Sequence, residues 1–137
     1  MTTSLLLPAL GATQSFRKTM TVAEQAMFTG ISGNLAPLHV DQRAARAAGF
    51  DAMLAFELGV LALTSTALNR LAGPGWRIGA LALDLPAVTL VGETVEASAE
   101  VINADATQLQ CRIRCTLSTG EVVVAGTATM VVAKARG

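Results

Sequence analysis

The sequence is poor in aromatic and charged residues and contains a single histidine. Aromatic residues make up 4% of the 137 residues, with no Tyr and one Trp, and charged residues make up 15%. Ten basic and ten acidic residues give a formal net charge of zero. Nucleic-acid-binding proteins need a basic surface, and peripheral membrane proteins use one to approach anionic lipid. We therefore expect neither a nucleic acid nor a membrane as partner.

Cysteine is also scarce, and the two cysteines, Cys111 and Cys115, are not expected to pair. They lie four residues apart in a predicted strand, so their Cα atoms would be roughly 13 Å apart. A disulfide spans at most about 7 Å between Cα atoms. One histidine and two strand cysteines form no metal-ligand set, and the chain has no phosphate-binding glycine motif. We expect free, buried thiols in a reducing compartment and no metal or other cofactor.

Hydrophobic runs long enough to cross a membrane are missing. The longest apolar stretch, Ala52 to Leu68, is shorter than the roughly 20 residues a membrane helix needs, and it contains Glu57. The N-terminal stretch, MTTSLLLPALGATQ, lacks the basic residues of a secretory signal. We predict a cytoplasmic protein.

Length and apolar content indicate one domain that associates with itself. A chain of 137 residues is most economically a single domain, residues 1–137. Its apolar fraction of 52% leaves few polar residues to cover a small protein. Such chains often bury apolar surface against a second copy, so we predict a homodimer.

Helical signals occupy the first half of the chain. Thr21 can cap a short helix that ends near Gly30, with Glu24 completing a capping box. The segment from Ile31 to Val40 has turn-forming residues and is predicted to be a loop. Asp41 can then cap a second short helix over Gln42–Ala48. A long helix from about Ala52 to Leu71 is apolar on nearly every face, which indicates that other structure encloses it.

Alternating patterns dominate the second half and predict strands. In LQCRIRCTL the residues Leu109, Cys111, Ile113, Cys115 and Leu117 alternate with polar ones. The stretch TVEASAEV alternates in the same way, and EVVVAGTATMVVA and the region from Trp76 to Leu90 supply further strands. A first strand covers Gln14 to Met20. One strand, a helical region and then several antiparallel strands predict an α+β fold in which a sheet wraps around one long helix, the hot-dog fold.

Several stretches resemble a known family. MFTGISGNLAPLHVDQRAARAAGF is similar to the start of MaoC-like, (R)-specific enoyl-CoA hydratases, which read F-x-x-x-S-G-D-x-N-P-x-H-x-D before a short helix and a Phe. The matching positions are Phe28, Ser32, Gly33, Pro37, His39, Asp41 and Phe50. GPGW and LVGETVEASAEV also resemble family segments, so the likeness runs from about Arg17 to Ala133.

The resemblance implies a site for acyl thioesters carried by coenzyme A or acyl carrier protein. The family uses an Asp and a His on this loop to hold the water that adds across the enoyl double bond. His39 matches the His, whereas Asn34 stands at the Asp position and Ala36 at that of the following Asn. Phe56 and Glu57 replace a His-Gly pair whose glycine N–H helps to polarise the thioester carbonyl. The substrate-binding positions that we take from this comparison are Ser32, Gly33, Pro37, Phe56, Ser65 and Gly75.

Three functional interpretations follow. In the first, an enoyl-CoA hydratase or 3-hydroxyacyl-thioester dehydratase, His39 is an acid–base group, Asn34 positions water or the carbonyl, and Glu57 is a second acid–base group. Glu57 lies in the apolar stretch MLAFELGVLAL, where burial would favour its protonated form. In the second, an acyl-CoA thioesterase, Glu57 activates water. The third is a non-catalytic acyl-thioester-binding subunit, and Glu57 then meets solvent at a dimer seam or pairs with Arg70 or Arg77.

Overall fold

The structure, a computed structural model, describes residues 6–136. Residues 1–5 and 137 lie outside the described part, and with them the start of the stretch considered as a secretory signal and both ends of the predicted domain. Within residues 6–136 the chain forms five strands and four helices. They are β1 (Thr13–Thr19), α1 (Val22–Ser32), α2 (Pro37–Val40), α3 (Gln42–Ala47), α4 (Glu57–Ala72), β2 (Trp76–Asp84), β3 (Thr94–Ala104), β4 (Gln108–Leu117) and β5 (Val122–Val132).

The five strands form one antiparallel sheet in the order β1-β3-β4-β5-β2. The alternation predicted for β3 and β4 is confirmed, because one face of each strand is buried. The buried side chains on these strands are Val95, Ala97, Ala99, Val101, Leu109, Cys111, Ile113, Cys115 and Leu117. They pack against α4, whose buried side is included in the same core. The sheet around one long helix confirms the predicted hot-dog fold.

The segment predicted as a loop from Ile31 to Val40 is partly helical, so that prediction was wrong. Helix α1 continues to Ser32 and ends where Gly33 adopts a left-handed conformation with φ 73°. Pro37 begins the four-residue helix α2, because a proline at the first helical position needs no intrahelical partner for its nitrogen. The loop is therefore reduced to the short connection between these two helices.

Helix α4 begins at Glu57, five residues later than the sequence predicts. The preceding residues are extended because their main-chain groups bond to another part of the chain. Leu54 forms an isolated β-bridge with Leu90, and the N–H of Ala55 donates to the carbonyl of Thr89 at 2.8 Å. These partners satisfy the groups that a helix would have used. As a result, Glu57 becomes the first residue of the helix instead of an interior one.

The opposite end of α4 is tied to β1 by Arg70. Its guanidinium lies 5.2 Å from the centre of the Phe16 ring and donates to the carbonyl of Ser15 at 3.2 Å. Arg70 is therefore not the partner of Glu57. Both ends of α4 expose polar side chains, and Leu58 and Ala62 are exposed as well, so the predicted enclosure on nearly every face was wrong.

The apolar helix and the two cysteines can each be described in the structure. Within residues 6–136, no helix is long and apolar enough to cross a membrane. Cys111 and Cys115 are buried and free, as predicted. Burial raises the pKa of the Cys115 thiol to about 12 and raises the pKa of Cys111 as well. Both thiols stay protonated near neutral pH and act as small core residues.

Candidate active site

His39 lies on α2 with its ring almost fully buried. The ring atom Nδ1 is 2.8 Å from the carbonyl oxygen of Leu54. Because a carbonyl oxygen can only accept a hydrogen bond, Nδ1 carries the hydrogen. In the neutral ring, Nε2 then keeps its lone pair. The structure thus leaves Nε2 as the nitrogen that can take up a proton.

Two aromatic rings fix the plane of the imidazole. The ring of Phe56 stacks on His39, with ring centres 4.4 Å apart and an interplanar angle of 20°. Phe28 from α1 packs on Phe56 with ring centres 4.6 Å apart. Phe56 is buried directly before α4. Its position in the site is thus that of a support beneath the imidazole.

Glu57 lies beside the free nitrogen of His39. Its Oε2 is 3.5 Å from Nε2. The predicted burial of Glu57 was wrong, because its side chain is 54% exposed. The late start of α4 places it in the first helical turn, where the helix dipole stabilises a carboxylate without burial. Glu57 thus meets both solvent and His39.

The pair formed by His39 and Glu57 is suited to proton transfer. The Nε2 lone pair and a carboxylate oxygen are both acceptors, so their approach is favourable when one of the two groups holds a proton. One member can then take a proton while the other gives one. Within residues 6–136, no group of three or more His, Cys, Asp or Glu side chains is arranged to bind a metal.

Gln25, which no motif of the sequence indicates, connects the parts of this site. It is buried on α1, and its Nε2 donates to the carbonyls of His39 at 2.7 Å and Leu54 at 2.9 Å. Its Oε1 accepts from the N–H of Phe56 at 3.4 Å. A glutamine on a short amphipathic helix normally faces solvent, so nothing in the sequence distinguishes this one.

Asn34 is exposed on the loop between α1 and α2. Its Oδ1 accepts from the N–H of Ala36 at 2.9 Å, which leaves the amide NH₂ as its available donor. Among the hydrogen bonds of residues 6–136, none joins Asn34 to His39 or Glu57. Its role as positioner of water or carbonyl stays a prediction.

Ser32, Gly33 and Pro37 shape the loop that carries His39. The Ser32 hydroxyl donates to the carbonyl of Phe28 at 2.7 Å and accepts from the N–H of the residue after Gly33 at 3.1 Å. Gly33 ends α1 and Pro37 begins α2, two residues before His39. All three are exposed, and a contact with substrate stays a prediction for each.

Ser65 and Gly75 are not brought to the His39–Glu57 pair by contacts in the structure. The Ser65 hydroxyl donates to the carbonyl of Ala62 at 2.6 Å, which is a bond within the helix. Gly75 follows the far end of α4, and its carbonyl accepts from Ala133. A helix of 16 residues is about 24 Å long, so Gly75 is remote from Glu57.

A cavity of about 180 Å³ lies against the start of α4. Glu57 is its one charged lining residue, and apolar side chains make up most of the remainder. The lining comes from the segment before α4, the first turn of α4, the connection between β2 and β3, and β5: Leu54, Ala55, Glu57, Val60, Leu85, Pro86, Ala87, Val88, Thr89, Val123 and Val124. A mostly apolar cavity with one acid–base group at its wall suits a short acyl group.

The chain matches a known protein family over most of its length. Residues 7–130 match the family model described as "MaoC like domain". The chain is also 31% identical over 116 residues to a 3-hydroxybutyryl-CoA dehydratase of Methylorubrum extorquens, covering 84% of this chain and 74% of that protein. The chain therefore belongs to the MaoC-like dehydratase family.

Solved structures show the same fold. An (R)-hydratase of A. caviae involved in PHA biosynthesis superposes with a TM-score of 0.86 at 24% identity, covering 91% of this chain and 97% of that one. An unliganded R-hydratase of Pseudomonas aeruginosa gives a TM-score of 0.85 at 21% identity, covering 94% and 87%. The predicted family and fold are both confirmed.

Proposed function

We propose that this protein adds water to, or removes water from, an acyl thioester with a double bond next to the carbonyl. In this proposal His39 and Glu57 are the acid–base pair. The observation that carries it is the 3.5 Å approach of Glu57 Oε2 to His39 Nε2, together with the Leu54 carbonyl that holds the hydrogen on Nδ1. Membership of the MaoC-like family supports the same chemistry.

The pair suffices for both proton transfers of hydration. The Glu57 carboxylate takes a proton from water while the water oxygen bonds to the β-carbon of the enoyl group. The imidazolium of His39 gives its Nε2 proton to the α-carbon, and the double bond is lost. Neutral His39 then lies beside protonated Glu57, and passing one proton from Oε2 to Nε2 restores the starting state. Dehydration is the reverse of these steps.

The start of α4 can stabilise the charge that develops on the thioester oxygen. The first main-chain N–H groups of a helix have no partner within the helix and point out of its end. Here they belong to Glu57 and the residues after it. Any residue except proline supplies such an N–H, so a glutamate in place of the family's glycine keeps the donor.

The size of the cavity supports a short acyl group. Its volume of about 180 Å³ is below the roughly 300 Å³ at which pockets for drug-sized ligands begin. We therefore take a four-carbon enoyl thioester as the first substrate to test. The carrier is coenzyme A or acyl carrier protein, and the proposed reaction needs no bound cofactor.

We further propose that the protein is a cytoplasmic homodimer that binds neither nucleic acid nor membrane. The free cysteines suit a reducing compartment. Exposed large apolar side chains, such as Leu58 at 63% and Leu81 at 47%, support burial against a second copy.

The test is to incubate the protein with crotonyl-CoA and to follow enoyl absorbance and free thiol together. We expect loss of absorbance without thiol release. Glu57→Gln and His39→Gln should each lower the rate by about 100-fold or more, because each removes one of the two proton-transfer groups. Glu121→Gln, an exposed glutamate outside the four ion pairs of the described residues, is the matched control.

Other outcomes would contradict the proposal in different ways. Thiol release that requires Glu57 would identify a thioesterase. If the enoyl absorbance does not fall and no thiol appears, although crotonyl-CoA binds, the protein is a non-catalytic acyl-thioester-binding subunit. Hydration that survives Glu57→Gln would remove Glu57 from the mechanism while keeping the reaction.

A further inference from the structure

We propose that Gln25 is a positioning residue that sets the tautomer and orientation of His39 relative to the start of α4. The consequence for catalysis rests on the proposed function, whereas the effect on the imidazole does not. Gln25 does not line the cavity beside Glu57. It lines a second pocket together with His39, but both of its polar atoms are bonded to main-chain groups. It acts through His39, Leu54 and Phe56.

The amide of Gln25 has only one orientation that satisfies its neighbours. Gln25 is 4% exposed, and its side chain faces two carbonyl oxygens and one N–H. The NH₂ group must therefore point to the carbonyls of His39 and Leu54, and the oxygen to Phe56. Reversing the amide would place an oxygen against two oxygens, which is costly in a buried site. The orientation of the Gln25 amide is consequently fixed by its three hydrogen bonds.

Gln25 shares an acceptor with the catalytic ring. The carbonyl of Leu54 receives Nε2 of Gln25 at 2.9 Å and Nδ1 of His39 at 2.8 Å. That carbonyl is the group that keeps hydrogen on Nδ1 and leaves Nε2 basic. A second bond from Gln25 holds the main-chain carbonyl of His39 at 2.7 Å. Gln25 thus fixes both the backbone of His39 and the acceptor of its ring.

The third bond relates this arrangement to the helix that carries Glu57. Phe56 is the N-cap residue of α4, its N–H donates to Gln25, and its ring stacks on His39. Glu57 follows directly in the chain. The distance between His39 Nε2 and Glu57 Oε2 therefore depends on two segments that are held by the same amide.

The single histidine makes the proposal measurable without assigning a spectrum. The ¹⁵N shifts of one imidazole report which nitrogen carries the hydrogen. We expect the Nδ1–H tautomer in the unaltered protein and a mixture of both tautomers in Gln25→Met. A residue that merely fills space would leave the tautomer unchanged. We also expect kcat to fall roughly 10- to 100-fold in this variant, with little change in KM.

Gln25→Glu supplies a second, conservative variant. When protonated, a glutamate can accept from Phe56 and donate to one carbonyl, whereas its ionised form places oxygens against both carbonyls. Its kcat relative to the unaltered protein should therefore rise as the pH is lowered. Gln110→Met is the matched control, because Gln110 is a partly buried glutamine on the sheet that accepts from Thr129 at 3.0 Å. It should change neither tautomer nor kcat.

The results separate this inference from the proposed function. If the unaltered protein hydrates no enoyl thioester, the proposed function fails, but the tautomer in Gln25→Met still decides the role of Gln25. An unchanged tautomer in Gln25→Met would overturn the inference. If Gln25→Met does not fold, a pH-independent kcat ratio in Gln25→Glu would overturn it equally.

Discussion

In the proposed function, Asn34 and Glu57 share the role that the loop Asp has in the resemblance described above. The Asn34 side chain can orient a water but cannot take its proton, because a neutral amide is not a base near neutral pH. Its Oδ1 is engaged with the N–H of Ala36. Glu57 approaches His39 from α4 instead. At the scale of single residues, the proposal therefore places the base on α4 and keeps His39 on the loop segment.

Asn34→Asp tests whether the loop still accepts its carboxylate. An aspartate keeps the oxygen that accepts from Ala36 and adds a group able to take a proton. We expect hydration of crotonyl-CoA to rise at least 10-fold, roughly the low end of the contribution of one general base. Asn34→Ala serves as control for loss of the turn. No gain in a well-folded Asn34→Asp protein would show that the site has been rebuilt around Glu57.

At the scale of elements, α1 carries Gln25 and begins with a capping box built on its N-cap residue, Thr21. The Thr21 side chain accepts from the N–H of Ala23, and the Glu24 carboxylate accepts from the N–H of Thr21 at 2.7 Å. Glu24 also pairs with Lys18 on β1 at 2.5 Å. This ion pair and the bond from the Thr21 side chain lower the pKa of Glu24 from 4.5 to about 2.

In Glu24→Gln, the free energy of unfolding should therefore depend less on pH between about 4.5 and 2. A carboxyl whose pKa falls on folding stabilises the protein above its unfolded value, near 4.5, and loses this effect as the pH falls toward 2. Because the group lies near the surface, we expect a loss of about 1 kcal/mol or less at pH 7. Urea unfolding between pH 7 and 2 measures it, with Glu121→Gln as control. Parallel curves for Glu24→Gln and the unaltered protein would contradict this assignment.

The elements also show how far the sequence alone predicts the fold. The alternation of apolar and polar residues was sufficient to predict β3 and β4, because a two-residue period directly determines which side chains are buried. The start of α4 was not predictable, since Leu54 and Ala55 bond to residues more than thirty positions away. Propensity is local, and these tertiary bonds override it. Helix α2 was missed because four residues give no helical period.

In the candidate site, too, local features could be predicted and tertiary contacts could not. His39 and Glu57 could be identified by residue type and by resemblance, and the structure brings them together. The exposure of Glu57 depends on where α4 begins. Because the start of α4 was predicted too early, Glu57 was wrongly predicted to be buried. Gln25 had no signal, because its three partners come from two other segments of the chain. Main-chain acceptors such as the Leu54 carbonyl leave no trace in a sequence.

At the scale of the whole molecule, the two edges of the sheet differ in charge. Strand β1 carries Arg17 and Lys18 along its edge. Strand β2 forms the opposite edge, and its charged residues, Arg77 and Asp84, lie only near its ends. Charged side chains on an edge strand discourage pairing with another chain, whereas an apolar edge permits it. The proposed homodimer is therefore expected to form along β2.

Leu81→Lys tests this interface. Leu81 lies in the middle of β2 and is 47% exposed, so a lysine there would place two like charges together across a pair of β2 strands. Sedimentation should give the unaltered protein a mass of roughly twice 14.1 kDa and the variant a mass near that of one chain. Ile102→Lys, at a position 39% exposed on the inner strand β3, is the control and should remain dimeric. A monomeric unaltered protein would contradict the homodimer, and a dimeric Leu81→Lys with a dissociated Ile102→Lys would place the interface away from β2.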